Sequence, residues 1–155
     1  MFVGFMSSKS NIPKEYELMK NTSVINYSFD YSAMRVKKVN IKSYVEMKLN
    51  MPYENFTKSL ENVLLESANE VLSTQGMKLV GNNESSDIEM RAMFLNTDPD
   101  GEHSIMVKIV HKPSDTLISS FDINSNGGSG DSFAEMFLNG LQKTGEKVGK
   151  KINKI

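Results

Sequence analysis

Asp122-x-Asn124-x-Asn126-Gly127 sets oxygen-bearing side chains at alternate positions before a glycine, the first half of a calcium-binding loop. Calcium also needs a bidentate glutamate at the closing position, and Phe133 stands there while Glu135 fits a helix cap. Asp122, Asn124 and Asn126 are therefore an incomplete metal set, and a strand-to-helix turn is the leading expectation. The same stretch continues as Gly127-Gly128-Ser129-Gly130, whose free amides would suit a phosphate at a helix start. The phosphate-loop pattern requires Gly-Lys-Ser/Thr, whereas Asp131 puts a carboxylate where the phosphate would sit. Asn96, Asp98 and Asp100 before Gly101 repeat the half-loop, with Val107 at the closing position. His103 and His111 bracket one predicted strand, too far apart along it to share an ion. No serine sits in a strained glycine elbow beside a histidine, and the chain has no cysteine. Thiol catalysis, disulfides and Cys-ligated zinc are excluded, and the expectation is a protein that is not an enzyme and carries no cofactor.

Binding chemistry is better represented. Lys143, Lys147, Lys150, Lys151 and Lys154 form a basic stripe on the last predicted helix. It reads as a solvated face near the negative end of the helix dipole, or as a weak contact for an anionic membrane or acidic partner. Tyr27, Tyr31 and Tyr44 are the candidate partner contacts, although Tyr27 and Tyr31 share the face expected to be core.

Periodicity supplies the elements that must position these groups. Ile25, Tyr27, Phe29 and Tyr31 alternate with Asn26, Ser28 and Asp30, the mark of a half-buried strand. Val39, Ile41, Ser43, Val45 and Met47 form a second alternating run, and the two predict a hairpin. Asn50-Met51-Pro52 opens a helix whose apolar stripe is Phe56, Leu60, Val63, Leu64, Ser67, Ala68, Val71 and Leu72, and Gly76 closes it. A short strand over 77–80 and three strands joined by tight turns follow, predicting an antiparallel meander. In its last strand Leu117, Ser119, Phe121 and Ile123 share one face. Ser132-Phe133-Ala134-Glu135 matches a capping box, and Met136, Phe137, Leu141, Thr144, Val148 and Ile152 carry the stripe of the final helix. Gly140, Gly145 and Gly149 weaken that helix but allow close approach to the sheet or a partner. The expected fold is α+β: a two-layer sandwich with a mainly antiparallel sheet of five to six strands, two helices on one face, and element order β-β-α-β-β-β-β-α.

Composition sets the bounds. The 155 residues suit a single domain over 23–155, preceded by an arm over 1–22. Met1-Phe2-Val3-Gly4-Phe5-Met6 before Ser7-Ser8 reads either as an ordinary arm or as the remnant of a signal peptide. The second reading sends the protein to the bacterial envelope or periplasm; the first leaves it in the cytoplasm. Eighteen basic and nineteen acidic residues give a net charge of −1, so no global field recruits nucleic acid. Eleven methionines and no tryptophan point to an adaptable core.

The order of elements, with Phe29-Asp30-Tyr31-Ser32 in the first strand, Ser86-Asp87 opening another, Asp115-Thr116 in a turn and Gly128-Ser129-Gly130 before the last helix, resembles small uncharacterised bacterial envelope domains and lipoproteins. More distantly, Val24 to Ile152 resembles the amino-terminal domain of the Tol-system propeller protein and the domain of curli-secretion lipoproteins. The resemblance implies a non-catalytic role in envelope assembly or protein contact, with an envelope protein as partner. The lipobox cysteine of such lipoproteins has no counterpart here. A small-ligand or calcium-binding domain built on residues 122–132, and a hydrolase, are the alternatives.

Overall fold

The computed structural model describes residues 17, 19, 21–36, 39–45, 47, 50–98, 102–127 and 133–155. The expectations for residues 1–16, for the Pro99 turn, for Gly128 to Asp131 and for the Ser132 cap lie outside the described residues.

One sheet carries two long helices, an α+β sandwich as the sequence predicts. Its strands are β1 (Val24–Asp30), β2 (Arg35–Val36), β3 (Val39–Asn40), β4 (Lys78–Val80), β5 (Ile88–Thr97), β6 (His103–His111) and β7 (Thr116–Ser125). The helices are the short α1 (Ile41–Tyr44), then α2 (Tyr53–Leu72) and α3 (Phe133–Asn153). The predicted meander is present: β5, β6 and β7 pair antiparallel. β1 runs parallel to β5 on one side and to β4 on the other. β2 continues the lane of β1 along β5, and β3 pairs antiparallel with β2.

Two local expectations fail for identifiable reasons. The run from Val39 to Met47 is not a strand paired with β1; it gives two residues of β3 and then α1. Alternation makes a strand only where a neighbouring backbone accepts its hydrogen bonds, and both edges of β1 are taken by β4 and β5. Val45 is buried while Met47 is 77% exposed, which no single strand face could produce. In β7 the register skips between Ile109 and Val110 of its partner, so a bulge turns Ile118 inward and leaves Leu117 53% exposed.

The core lies between the sheet and the helices. Ile25, Ile88, Met90, Phe94, Ile105, Val107 and Ile109 meet Leu60, Leu64 and Leu72 of α2 and Leu141, Val148 and Ile152 of α3. Methionine fills part of it through Met19, Met34, Met77 and Met90. α2 begins at Pro52, whose carbonyl accepts from the amides of Asn55 and Phe56; no side chain caps it. Gly76 leaves its far end with φ +72°, the left-handed turn that glycine takes without strain. Gly145 and Gly149 of α3 make room for α2 rather than for the sheet. A Cβ on Gly145 would lie 2.5 Å from the Leu64 carbonyl oxygen, and one on Gly149 would lie 2.8 Å from that of Ala68.

Candidate functional site

Three strands end the sheet, the two-residue β3 and the longer β4 and β7, and the last two are treated differently. At the β4 edge the Lys78 amide donates to the Ser23 carbonyl, which turns Lys78 toward β1 and Leu79 outward. Asn69 of α2 then takes both outward groups: the Leu79 amide donates to its Oδ1 at 2.7 Å, and its Nδ2 donates to the Leu79 carbonyl at 3.2 Å. A side-chain amide has the donor and acceptor of a peptide group, so Asn69 acts as one residue of a further strand. That edge is closed.

β7 pairs only with β6 among the described residues and presents ten residues of edge. The Asp98 amide bonds to the Glu102 carbonyl, so by antiparallel alternation the backbone of Ser104 faces β5 and those of His103 and Ile105 face β7. The backbone groups of Ser120, Asp122 and Asn124 therefore point away from the sheet. Lys147 agrees with that parity, its Nζ donating to the Asn124 carbonyl at 2.7 Å. Lys147 caps the last outward carbonyl, and among the described residues no strand pairs with those of Ser120 and Asp122.

The face opposite the helices carries two cross-strand rows. Asp30, Met93, Met106 and Asp122 lie side by side, and Ser28, Arg91, Lys108 and Ser120 form the next row. Arg91 is held by Glu89 at 2.7 Å and reaches Asp115 at 3.7 Å; the bond to Glu89 raises its already high pKa. Ser32, through its amide at 2.9 Å and its hydroxyl, holds the exposed Asp30 carboxyl below the usual range.

Where α3 crosses the end of β7, a cleft of about 530 Å³ opens. The sheet supplies Asn96, Ser104, Asn124 and Ser125, and α3 supplies Lys143 and Lys147. Ser104 donates to Asn124 Oδ1 at 2.7 Å. Ser125 is only 8% exposed, yet among the described residues its hydroxyl has no hydrogen-bond partner. His103, the first residue of β6, is 1% exposed at the back of the cleft. Its Nε2 faces the Phe137 carbonyl at 3.1 Å, which can only accept, so the proton is on Nε2 and the Thr97 hydroxyl donates to Nδ1. Its ring stands edge-on to Phe137.

The structure thus gathers Asn124, Asn126, Lys143 and Lys147 at one place. Asp122 lies outside this lining, in the exposed row of β7. Lys150 and Lys151 are exposed farther along α3, and Lys154 is exposed just past its end. No group of three or more potential metal ligands of the His, Cys, Asp and Glu types occurs among the described residues. The tyrosines do not form one surface. Tyr31 stacks on Phe94, and its hydroxyl donates to Glu61 Oε2 at 2.6 Å. Burial first, then that bond and its negative charge, raise the Tyr31 pKa well above 10.0. Tyr27 is half-buried beside Phe29, and Tyr44 ends α1, partly buried against the core. Sequence reading did not find Asn69, because an asparagine on a helix carries no signal until the neighbouring backbone is known; Ser125 lay within the 122–132 stretch but was not singled out. No described helix is long and apolar enough to cross a membrane.

No protein-family model and no curated protein matches the chain. Among solved structures, a crystal structure of an uncharacterised protein is similar with a TM-score of 0.52 at 14% identity, covering 85% of this chain and 92% of that one. A Xanthomonas campestris protein of family DUF330 gives 0.49 at 12% identity, covering 82% and 81%. The PelC dodecamer from Paraburkholderia phytofirmans gives 0.48 at 9% identity, covering 86% and 88%. Identities this low speak to architecture alone: the chain shares its α+β fold with the first of these proteins.

Proposed function

We infer that this is a non-catalytic domain of the bacterial cell envelope that docks a partner protein by strand addition along β7. The observation that carries the reading is the contrast between edges. β4 is closed by Asn69, whereas β7 offers the outward backbone groups of Ser120 and Asp122. Strand addition uses such groups for affinity and the adjoining side chains for selection. Here the side chain that adjoins the docking edge on this face is Asp122, with Met106 beside it in the next strand, an acidic group backed by a pliant apolar one. An extended segment that sets a basic residue against Asp122 fits it. The envelope assignment rests on the sequence resemblance carried by Phe29-Asp30-Tyr31-Ser32 and Gly128-Ser129-Gly130, which also favours a role like those of the Tol-system and curli-secretion domains.

A photo-crosslinking residue in place of Ser120, introduced in living cells, tests this. A discrete adduct enriched in the envelope fraction is expected from Ser120 and not from the same substitution at Lys78 beside the closed edge. Adducts of equal yield at both positions, or at neither, would refute docking along β7.

A further inference from the structure

Lys147 occupies the Asn124 carbonyl at one end of β7, and the bulge at Ile118 breaks the regular edge at the other. Between them lie Ser120, Phe121 and Asp122, and the outward backbone groups of this stretch are the amides and carbonyls of Ser120 and Asp122. An antiparallel strand exchanges both bonds with each residue it faces, so three of its residues satisfy all of these groups. A parallel strand bonds through the neighbours of the residue opposite and would need five, two of them beyond the open stretch. The side chains along the same stretch differ in charge at alternate positions. On the face away from the helices, Asp122 is exposed at the edge with Met106 behind it, and Ser120 is exposed at the edge with Lys108 behind it. Neither Asp122 nor Lys108 forms an ion pair among the described residues. Paired strands lie about 4.8 Å apart, so a residue facing Ser120 stands about 10 Å from the Lys108 backbone, and the short serine lets the long lysine lean across to it. Phe121 points to the helix side, half-buried beside Val107 at the rim of the core.

On the basis of docking along β7, we propose that the partner segment runs antiparallel to it and carries, from its amino end, a basic, an apolar and an acidic residue in succession. The basic residue lies against Asp122, the apolar one covers Phe121, and the acidic one lies against Ser120 within reach of Lys108. A segment of the reverse order would set an acid against Asp122 and a base toward Lys108, and both pairs would repel.

The test uses two synthetic peptides of one composition, Thr-Val-Lys-Val-Glu-Val-Thr and Thr-Val-Glu-Val-Lys-Val-Thr, acetylated and amidated at their ends. Each is titrated into the whole chain and followed by amide-resolved NMR and hydrogen exchange. The first should saturate, protect the Ser120 and Asp122 amides, and bind roughly tenfold more tightly than the second, because two cross-strand charge pairs change sign between them. The difference should shrink as salt is raised. In the double variant Lys108→Glu with Asp122→Lys, both changes at exposed positions, the preference should invert. Equal affinity for the two peptides, with Ser120 and Asp122 protected by both, would overturn the residue order and leave docking along β7 standing. Tighter binding of the second peptide by the native chain would overturn the antiparallel direction. Binding of neither peptide at millimolar concentration, or an unchanged preference in the double variant, would overturn the proposal, and Ser120 adducts in cells would then show whether the edge takes a strand of other chemistry.

Discussion

Replacing Asn69 with alanine removes the two hydrogen bonds that close the β4 edge. Each neutral hydrogen bond contributes about 0.5–1.5 kcal/mol net. Water can reach an outer strand and partly replace the loss, so about 1–2 kcal/mol is expected rather than the full sum. An unfolding entropy of about 2.1 cal/mol/K per residue over a chain of this length makes 1 kcal/mol worth about 3 °C. The melting temperature should therefore fall by about 3–6 °C. The local effect should be larger than the global one. The Leu79 amide, protected by Asn69 Oδ1 in the native chain, should exchange with solvent at least tenfold faster, while Ile25 and Ile105 slow or speed only with global stability. Asn69→Asp should behave differently again: its carboxylate still accepts from the Leu79 amide but cannot donate to the Leu79 carbonyl. Thermal unfolding followed by circular dichroism, together with hydrogen exchange at Leu79, reads both effects. A variant with unchanged melting temperature and unchanged Leu79 exchange would refute the idea that Asn69 stands in for a strand. If the variant also self-associates at high concentration, the newly opened β4 edge accounts for it.

Gly145→Ala should destabilise although alanine is the better helix former by about 1 kcal/mol, because the new methyl meets the Leu64 carbonyl at 2.5 Å and forces α2 and α3 apart. A net loss of about 1–3 kcal/mol is expected in denaturant unfolding, and a gain would show that the helix seam is looser than described. Tyr31→Phe should alter the alkaline limb of the stability profile. The folded Tyr31 phenol ionises above its unfolded value of 10.0, so its contribution is complete below that pH and is lost as pH rises toward the folded value. Between pH 10 and 12 the decline in stability should be shallower in Tyr31→Phe than in the native chain; equal slopes would remove burial of the phenol as the cause.

The long elements were legible because their signals are local. The stripe of α2, the meander of β5 to β7 and the stripe of α3 each follow from spacing within one segment. What escaped is set by partners distant in sequence. The run from Val39 to Met47 alternates like a strand, but the hydrogen-bonding sides of β1 belong to β4 and β5, more than fifty residues onward for both. Asn26 shows the same limit: it alternates as an outward polar residue, yet it is 1% exposed. Its amide donates to the Gly81 and Glu84 carbonyls, and its Oδ1 accepts from the Ser86 amide and Lys112. The bulge at Ile118 likewise depends on register with β6. Of the candidate site residues, Lys143 and Lys147 were visible as part of a stripe, but only the fold shows that they converge on Asn124 and Ser125. The tyrosines drew notice through residue type alone, and Tyr31 is committed to Glu61 and Phe94.

The docking account stands on the openness of β7, and backbone amide exchange resolved along that strand measures it directly. In the isolated chain the Ser120 and Asp122 amides should exchange rapidly while those of Ser119, Phe121 and Ile123, directed to β6, are protected. Addition of the partner captured at Ser120 should then protect Ser120 and Asp122 as well. Slow exchange at Ser120 and Asp122 in the isolated chain would mean that the edge is already covered and would contradict the account.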